Sequence, residues 1–220
     1  MRAGISTMYI PPSFRVEDSA KLAAFMRQYS FATLITDDGN APFASHLPMF
    51  HTSEGGQHGI LLSNMARANP QWKHFATGRE ALVIFHGPHG YISPSWYKAE
   101  VAVPTWNYAS VHAYGVPKIF DDHERIVALL RQIVQKYESA FKRPWTGDLP
   151  LEYRDKMIQG IVAFEIPIAR IEGKYKFGQN RSTEDIEGVI DALASAADAE
   201  SQALAQMMRE ECCVKKRFFK

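Results

Sequence analysis

The stretch FATLITDDGNAPFASHLPMFHTSEGGQHGILLSN, Phe31 to Asn64, decides the fold. Apolar and polar side chains alternate through FATLIT (Phe31 to Thr36) and again through FASHLPMF (Phe43 to Phe50), with DDGNAP (Asp37 to Pro42) between them. Alternation with a period of two marks a half-buried strand, and Asp, Gly, Asn and Pro supply the backbone angles that turns require. A Gly-rich turn at Gly55 and Gly56 leads into a third run, HGILLSN (His58 to Asn64). Three short strands on tight turns predict an antiparallel meander.

Further strands follow downstream: ALVIFHG (Ala81 to Gly87), VHAYGVPKIF (Val111 to Phe120) with Pro117 marking an edge or a bulge, and IVAFEIPIARIEG (Ile161 to Gly173) as one long strand. Helical spacing occurs three times. Leu22, Phe25, Met26 and Tyr29 define a helix from about Val16 to Tyr29. His123 to Phe141 carries a wide apolar stripe of Ile126, Val127, Leu129, Leu130, Ile133, Val134, Tyr137 and Phe141, expected to pack on the sheet. A last helix starts near Thr183 with Ile186, Val189, Ile190 and Leu193, and is carried on toward Met208. Strands at close spacing, without a regular strand-helix alternation, predict a mainly β chain with peripheral helices (α+β): a closed or partly closed antiparallel barrel, not a parallel nucleotide-binding sheet.

The 220 residues are 46% hydrophobic and 22% charged, which excludes disorder and suits one elaborated core. A formal charge of +1 gives no global reason to sit on nucleic acid or an anionic membrane, so any DNA contact has to be local. The only two cysteines, Cys212 and Cys213, are adjacent, an arrangement that suits a reducing compartment. No run approaches the roughly 20 apolar residues of a spanning helix, and the first residues lack an apolar signal core. A cytoplasmic, non-membrane protein is expected.

Walker-type, GxGxxG, HExxH, paired CxxC and GxSxG motifs are absent, so simple hydrolase and zinc readings lose support and no metal is expected. His86 and His89 in HGPHG read as a solvated turn pair, and His46 as a core histidine or a ligand contact. More telling are GPHGYISPSWY (Gly87 to Tyr97) and VPTWNYASVHAYG (Val103 to Gly115), read as loops that place Tyr91, Trp96, Tyr97, Trp106 and Tyr108 beside hydroxyl and amide side chains. Such segments suit a flat ring ligand or, equally, a subunit seam. The segment LSNMARANPQWKHF (Leu62 to Phe75) leaves a strand and opens a short helix. Its amides and Arg67, aided by Ser63, Asn64 and Lys73, can meet an anion, although two basic residues on an exposed turn are more commonly just solvated. No spacing identifies a catalytic acid or base.

In order, MYIPPSF (Met8 to Phe14), ATLIT with ASHLP (Ala32 to Thr36, Ala44 to Pro48), NMARANPQW, GPHGYISPSWY, VPTWNY and KYKFGQNRS (Lys174 to Ser182) closely resemble the PaiB family of FMN-binding negative transcriptional regulators. The resemblance runs from about Met8 to Leu193. It implies an FMN-binding split β-barrel over residues 8–193 with inserted helices, flanked by an extension at 1–7 and a helical or flexible tail at 194–220. It also implies a homodimer with FMN at the interface and a role in gene repression. By the same resemblance, Ser45 and His46 face the polar edge of the isoalloxazine, and Ser63, Asn64 and Arg67 hold the ribityl phosphate. Trp106 and Asn107 reach the ring from the other protomer, and Gln179 and Arg181 close the site. MRAGIST reads as an extension, or as a choice of start between Met1 and Met8. The tail residues Lys215, Lys216, Arg217 and Lys220, interleaved with Phe218 and Phe219, read first as a frayed terminus and second as a nucleic-acid or partner contact. No helix-turn-helix is recognisable, so regulation is expected to be indirect. The competing reading is an FMN-dependent oxidoreductase using a reduced nicotinamide and a small-molecule acceptor, and haem breakdown ranks last.

Overall fold

The computed structural model describes residues 8–214, so MRAGIST and the basic tail from Lys215 lie outside the described residues, as does the Cys213 side chain. The elements in chain order are β1 (Arg15–Val16), α1 (Ser19–Gln28), β2 (Phe31–Asp37), β3 (Pro42–Pro48), β4 (Phe50–Thr52), β5 (Ile60–Ala66), β6 (Ala81–Ile92), β7 (Thr105–Gly115), β8 (Lys118–Phe120), α2 (His123–Glu138), α3 (Leu151–Gln159), β9 (Ile161–Pro167), β10 (Arg170–Lys176), α4 (Thr183–Ala194) and α5 (Ala199–Val214). The chain forms two compact units, and β6 and β7 each give one half to either unit.

The hairpin unit comprises Ser19–Phe85 and His112–Ile171. β2 and β3 pair along their whole length, from Phe31 opposite Pro48 to Asp37 opposite Pro42. β6 joins the other edge of β2, with Leu34 opposite Val83. The predicted meander ends there. Beyond Pro48 the chain enters a second antiparallel sheet in the order β4-β5-β9-β8, so the third predicted strand pairs with β4 and β9. Pro48 has no N–H to extend the ladder, and the corner is braced on both sides of it. Met49 N donates to Ser30 O at 2.7 Å, and the buried Ser63 hydroxyl donates to Pro48 O at 2.7 Å. The α2 stripe packs as expected, with Ile126 and Leu129 buried among Phe120, Ile158 and Ala163. Asp122 caps this helix by accepting from Arg125 N.

The terminal unit comprises residues 8–18, 86–111 and 172–214 of the described chain. Its strands follow the order β1-β10-β7-β6, with Arg15 opposite Lys174. Val189, Ile190 and Leu193 of α4 are buried, as are Leu204, Ala205 and Met208 of α5.

Several elements depart from the sequence reading. The long strand at 161–173 is two strands, β9 and β10, broken after Pro167, and the last helix is α4 and α5, broken at 195–198. HGPHG is not a turn: β6 runs on through it to Ile92, although His86 and His89 are exposed as expected. The VPTWNY segment is not a loop either, because β7 begins at Thr105. Pro117 does interrupt its strand, separating β7 from β8. Helix α3 was not foreseen.

Gly59 opens β5 at φ 78°, and a Cβ there would sit 2.0 Å from Thr52 O and 2.8 Å from His51 Nε2. Gly59→Ala is therefore expected to destabilise the protein by more than about 2 kcal/mol, read as a lowered urea midpoint with an unchanged slope.

Candidate functional site

In the hairpin unit, a 3-10 helix (Pro70–Thr77) follows β5 across a short turn. Asn69 caps it, accepting from Gln71 N at 3.0 Å, and Pro70 occupies the first helical position. The same Asn69 amide donates to Ser45 Oγ at 2.8 Å, which ties the turn to β3. Gln71 is completely buried. Its Nε2 has Leu34 O, Thr36 Oγ1 and Phe43 O at 3.0 to 3.1 Å, whereas its Oε1 is buried without a partner. His46 is exposed on β3, with Nδ1 3.1 Å from Thr33 Oγ1 on β2.

Arg67 stands at the start of this turn. Its N donates to Gly160 O, its Nε to Gln159 O and its Nη2 to Ile161 O, each at 2.8 Å. The guanidinium thus fastens the turn to the end of α3 and the start of β9. All its acceptors are neutral carbonyls, so its charge is not cancelled. Lys73 Nζ stands 5.9 Å from the centroid of the Trp72 ring. Among the described residues neither cation has an acidic partner. Two uncompensated cations on a segment that Asn69 ties to the Ser45 hydroxyl suit a phosphate ester, which is the chemistry of the FMN phosphate. The amides of the turn contribute less than expected, since those of Arg67, Asn69 and Gln71 are already engaged within the protein.

Thus Ser45, His46, Ser63, Asn64 and Arg67 all belong to the hairpin unit. Ser63 is enclosed, its hydroxyl spent on Pro48 O, while Asn64 on β5 is half-buried opposite Ala163. Asn69 and Gln71 were not singled out in advance, although an Asn-Pro step after a strand is a helix-start signal.

Trp106, Asn107, Gln179 and Arg181 belong to the terminal unit. Because β7 is a strand, neighbouring residues point to opposite faces. Trp106 is 54% exposed, in edge-to-face contact with Tyr91 at 6.1 Å, whereas Asn107 is buried with Nδ2 3.6 Å from Met208 Sδ. Gln179 spends its amide locally, donating to Tyr175 O and accepting from Phe177 N. Arg181 lies over the Tyr97 ring, 4.3 Å from its centroid, and 4.0 Å from Asp185, which itself accepts from Lys98 N and Ala99 N.

A further polar group here went unforeseen. Lys174 donates to Tyr9 O at 2.9 Å with Tyr108 alongside, and Lys176 donates to Thr105 Oγ1 and Trp106 O. Burial, then the charge of Lys174, holds the Lys176 amine below the usual lysine range. Similarly, burial and then His89 lower the pKa of His86. No group of three or more metal-ligating side chains occurs among the described residues.

Gln71→Leu keeps the volume but leaves Leu34 O and Phe43 O without their donor. The expected cost is about 2 to 4 kcal/mol in urea unfolding, with the larger loss of solubility or folding reserved for Gln71→Ala, which adds a cavity.

The family model described as "Putative FMN-binding domain" matches residues 8–170. The chain is 35% identical over 205 residues to "Protease synthase and sporulation protein PAI 2" of Bacillus subtilis (strain 168), covering 93% of this chain and 98% of that protein. Among solved structures, the flavocytochrome Anf3 from Azotobacter vinelandii matches with a TM-score of 0.60 at 15% identity, over 79% of this chain and 75% of its own. The FAD and heme binding protein from Mycobacterium smegmatis matches with a TM-score of 0.57 at 16% identity, over 79% and 78%. At that identity the two structures share the fold alone: a mainly antiparallel, split β-barrel with peripheral helices. With most of its length under the family model and a relative this similar along nearly all of it, the chain belongs to the FMN-binding domain family, as a PaiB-type split-barrel protein whose cofactor is FMN.

Proposed function

We propose that FMN is held by its phosphate between Arg67 and Lys73, and that the protein is a PaiB-type negative regulator acting on transcription indirectly. The observation that carries the first part is the pair of cations without acidic partners, fastened by Asn69 and Gln71 beside β3. Ser45, held by Asn69, then offers a hydroxyl to the ring, while His46, the next residue of β3, points to the opposite face of the strand, and Asn64 lies within the same segment of chain as Arg67. FMN, when bound, supplies the capacity to accept and return hydride or single electrons. Arg67 and Lys73 bind, and Thr33 orients the His46 ring through Nδ1. Trp106 and Asn107 belong to this proposal as the second protomer's contribution, and Gln179 and Arg181 as the residues that close the site. The half-exposed Trp106 and Tyr91 pair is the part of the terminal unit best suited to a homodimer seam or a ring contact.

Regulation is supported by the relative from Bacillus subtilis, whose name ties that protein to protease synthesis and sporulation. Indirect action is supported by the charge pattern. The net charge is +1, and the exposed face of α2 mixes Arg125 and Arg131 with Glu124, unlike a helix that reads a DNA groove. The adjacent cysteines and the absence of a helix long and apolar enough to cross a membrane, among the described residues, favour a cytosolic setting.

FMN titration of purified variants tests the phosphate assignment. Arg67→Ala is expected to weaken binding roughly 10- to 100-fold, Arg67→Lys less, and Lys73→Ala less again; unchanged binding in all three removes the clamp from the account. Anaerobic addition of NADH or NADPH tests the role. Bound flavin that stays oxidised agrees with a regulator, whereas rapid bleaching replaces that reading with an oxidoreductase.

A further inference from the structure

Two lysines stand on one face of β10 in the terminal unit. Alternate residues of a strand share a face, so Glu172, Lys174 and Lys176 line up there, with Arg15 of β1 directly opposite Lys174. Lys174 is 8% exposed, and its Nζ lies 5.3 Å from the ring centroids of both Tyr9 and Tyr108. Glu172, the carboxylate in that row, accepts from Met8 N at 2.9 Å. Among the described residues neither lysine has an acidic partner: Lys174 donates to Tyr9 O, and Lys176 to Thr105 Oγ1 and Trp106 O. Each of these acceptors is neutral.

Holding a carbonyl or a hydroxyl needs an N–H, not a charge. Taking an ammonium group this far out of water without a counter-charge is costly, and a second cation on the same face adds repulsion. The Lys176 amine shows both effects, since burial and then the Lys174 charge hold it below the usual lysine range. Donors remain as well as charge. An ammonium has three N–H groups, which leaves two on Lys174 and one on Lys176 without an acceptor among the described residues. Alternate residues of a strand are rooted roughly 7 Å apart, so a group with two or more anionic oxygens can give one to each amine. Neither lysine is among the residues assigned to FMN, and the site does not depend on that assignment.

We propose that Lys174 and Lys176 form an oxyanion site, which takes the carboxylate or phosphate of a small molecule between the two amines. Calorimetric titration of the FMN-loaded protein with inorganic phosphate and with acetate, at an ionic strength held constant with chloride, tests this. Saturable binding is expected with a Kd of about 1 mM or tighter, and the oxyanion bound more tightly gives the class of the ligand. Lys176→Gln, on the less enclosed of the two, weakens binding roughly tenfold, whereas Lys176→Arg, which keeps the charge, stays within about threefold. Saturating anion raises the urea midpoint of the unmodified protein but not that of Lys176→Gln. Absence of saturable binding, or binding indifferent to Lys176→Gln, overturns the proposal. So does phosphate that drives FMN off the protein or loses affinity on Arg67→Ala, because the anion then occupies the cation pair after β5.

Discussion

One buried amide holds the candidate site together. Gln71 Nε2 gathers acceptors from β2, from the Thr36 side chain and from the start of β3, and so welds a 3-10 helix onto a hairpin it does not follow in sequence. A primary amide has only two hydrogens for three acceptors within 3.1 Å, and Gln71 is fully buried. The penalty for leaving those carbonyls unpaired is what makes the arrangement specific. Asn69, two residues earlier, performs the complementary task at the surface end, capping the helix and holding Ser45. The cations Arg67 and Lys73 are carried on this segment, so their position relative to β3 is set by neutral groups, not by acids that would cancel their charge.

The same economy governs the corner at Pro48. A strand that reads as continuous is divided because proline cannot donate to the next rung, and Ser30 and Ser63 engage the backbone atoms on either side. That division sends β3 and β4 into different sheets of the hairpin unit. Ser63, placed near the phosphate by resemblance, has its hydroxyl occupied at this corner. In the terminal unit the strand period gives Trp106 and Asn107 different surroundings, one half in solvent and one against Met208.

Much of the architecture was legible. The hairpin Phe31 to Pro48, the amphipathic α2 and the phrases that mark the family are local patterns, and local patterns are what spacing and turn chemistry report. The sheet change at Pro48 and the division of the last long strand after Pro167 were marked by prolines, yet a proline says only that a ladder stops, not where the chain goes next. α3 was missed because LEYRDKMIQ carries few apolar residues and only Ile158 of it is buried.

For the site, sequence alone determined which segments bear polar and aromatic chemistry, that two cations follow β5, and that the chain is of the PaiB type. Residue types and their order suffice for that. Only the tertiary structure decided which donors remain available once the fold has taken its share. Arg67 serves three carbonyl groups' worth of backbone bonds through its own amide and guanidinium, Gln179 closes on its neighbours, and Asn107 faces inward. Hydrogen-bonding capacity is finite and is claimed first by buried backbone, wherever in the sequence that backbone comes from. No inspection of a single segment reveals those claims.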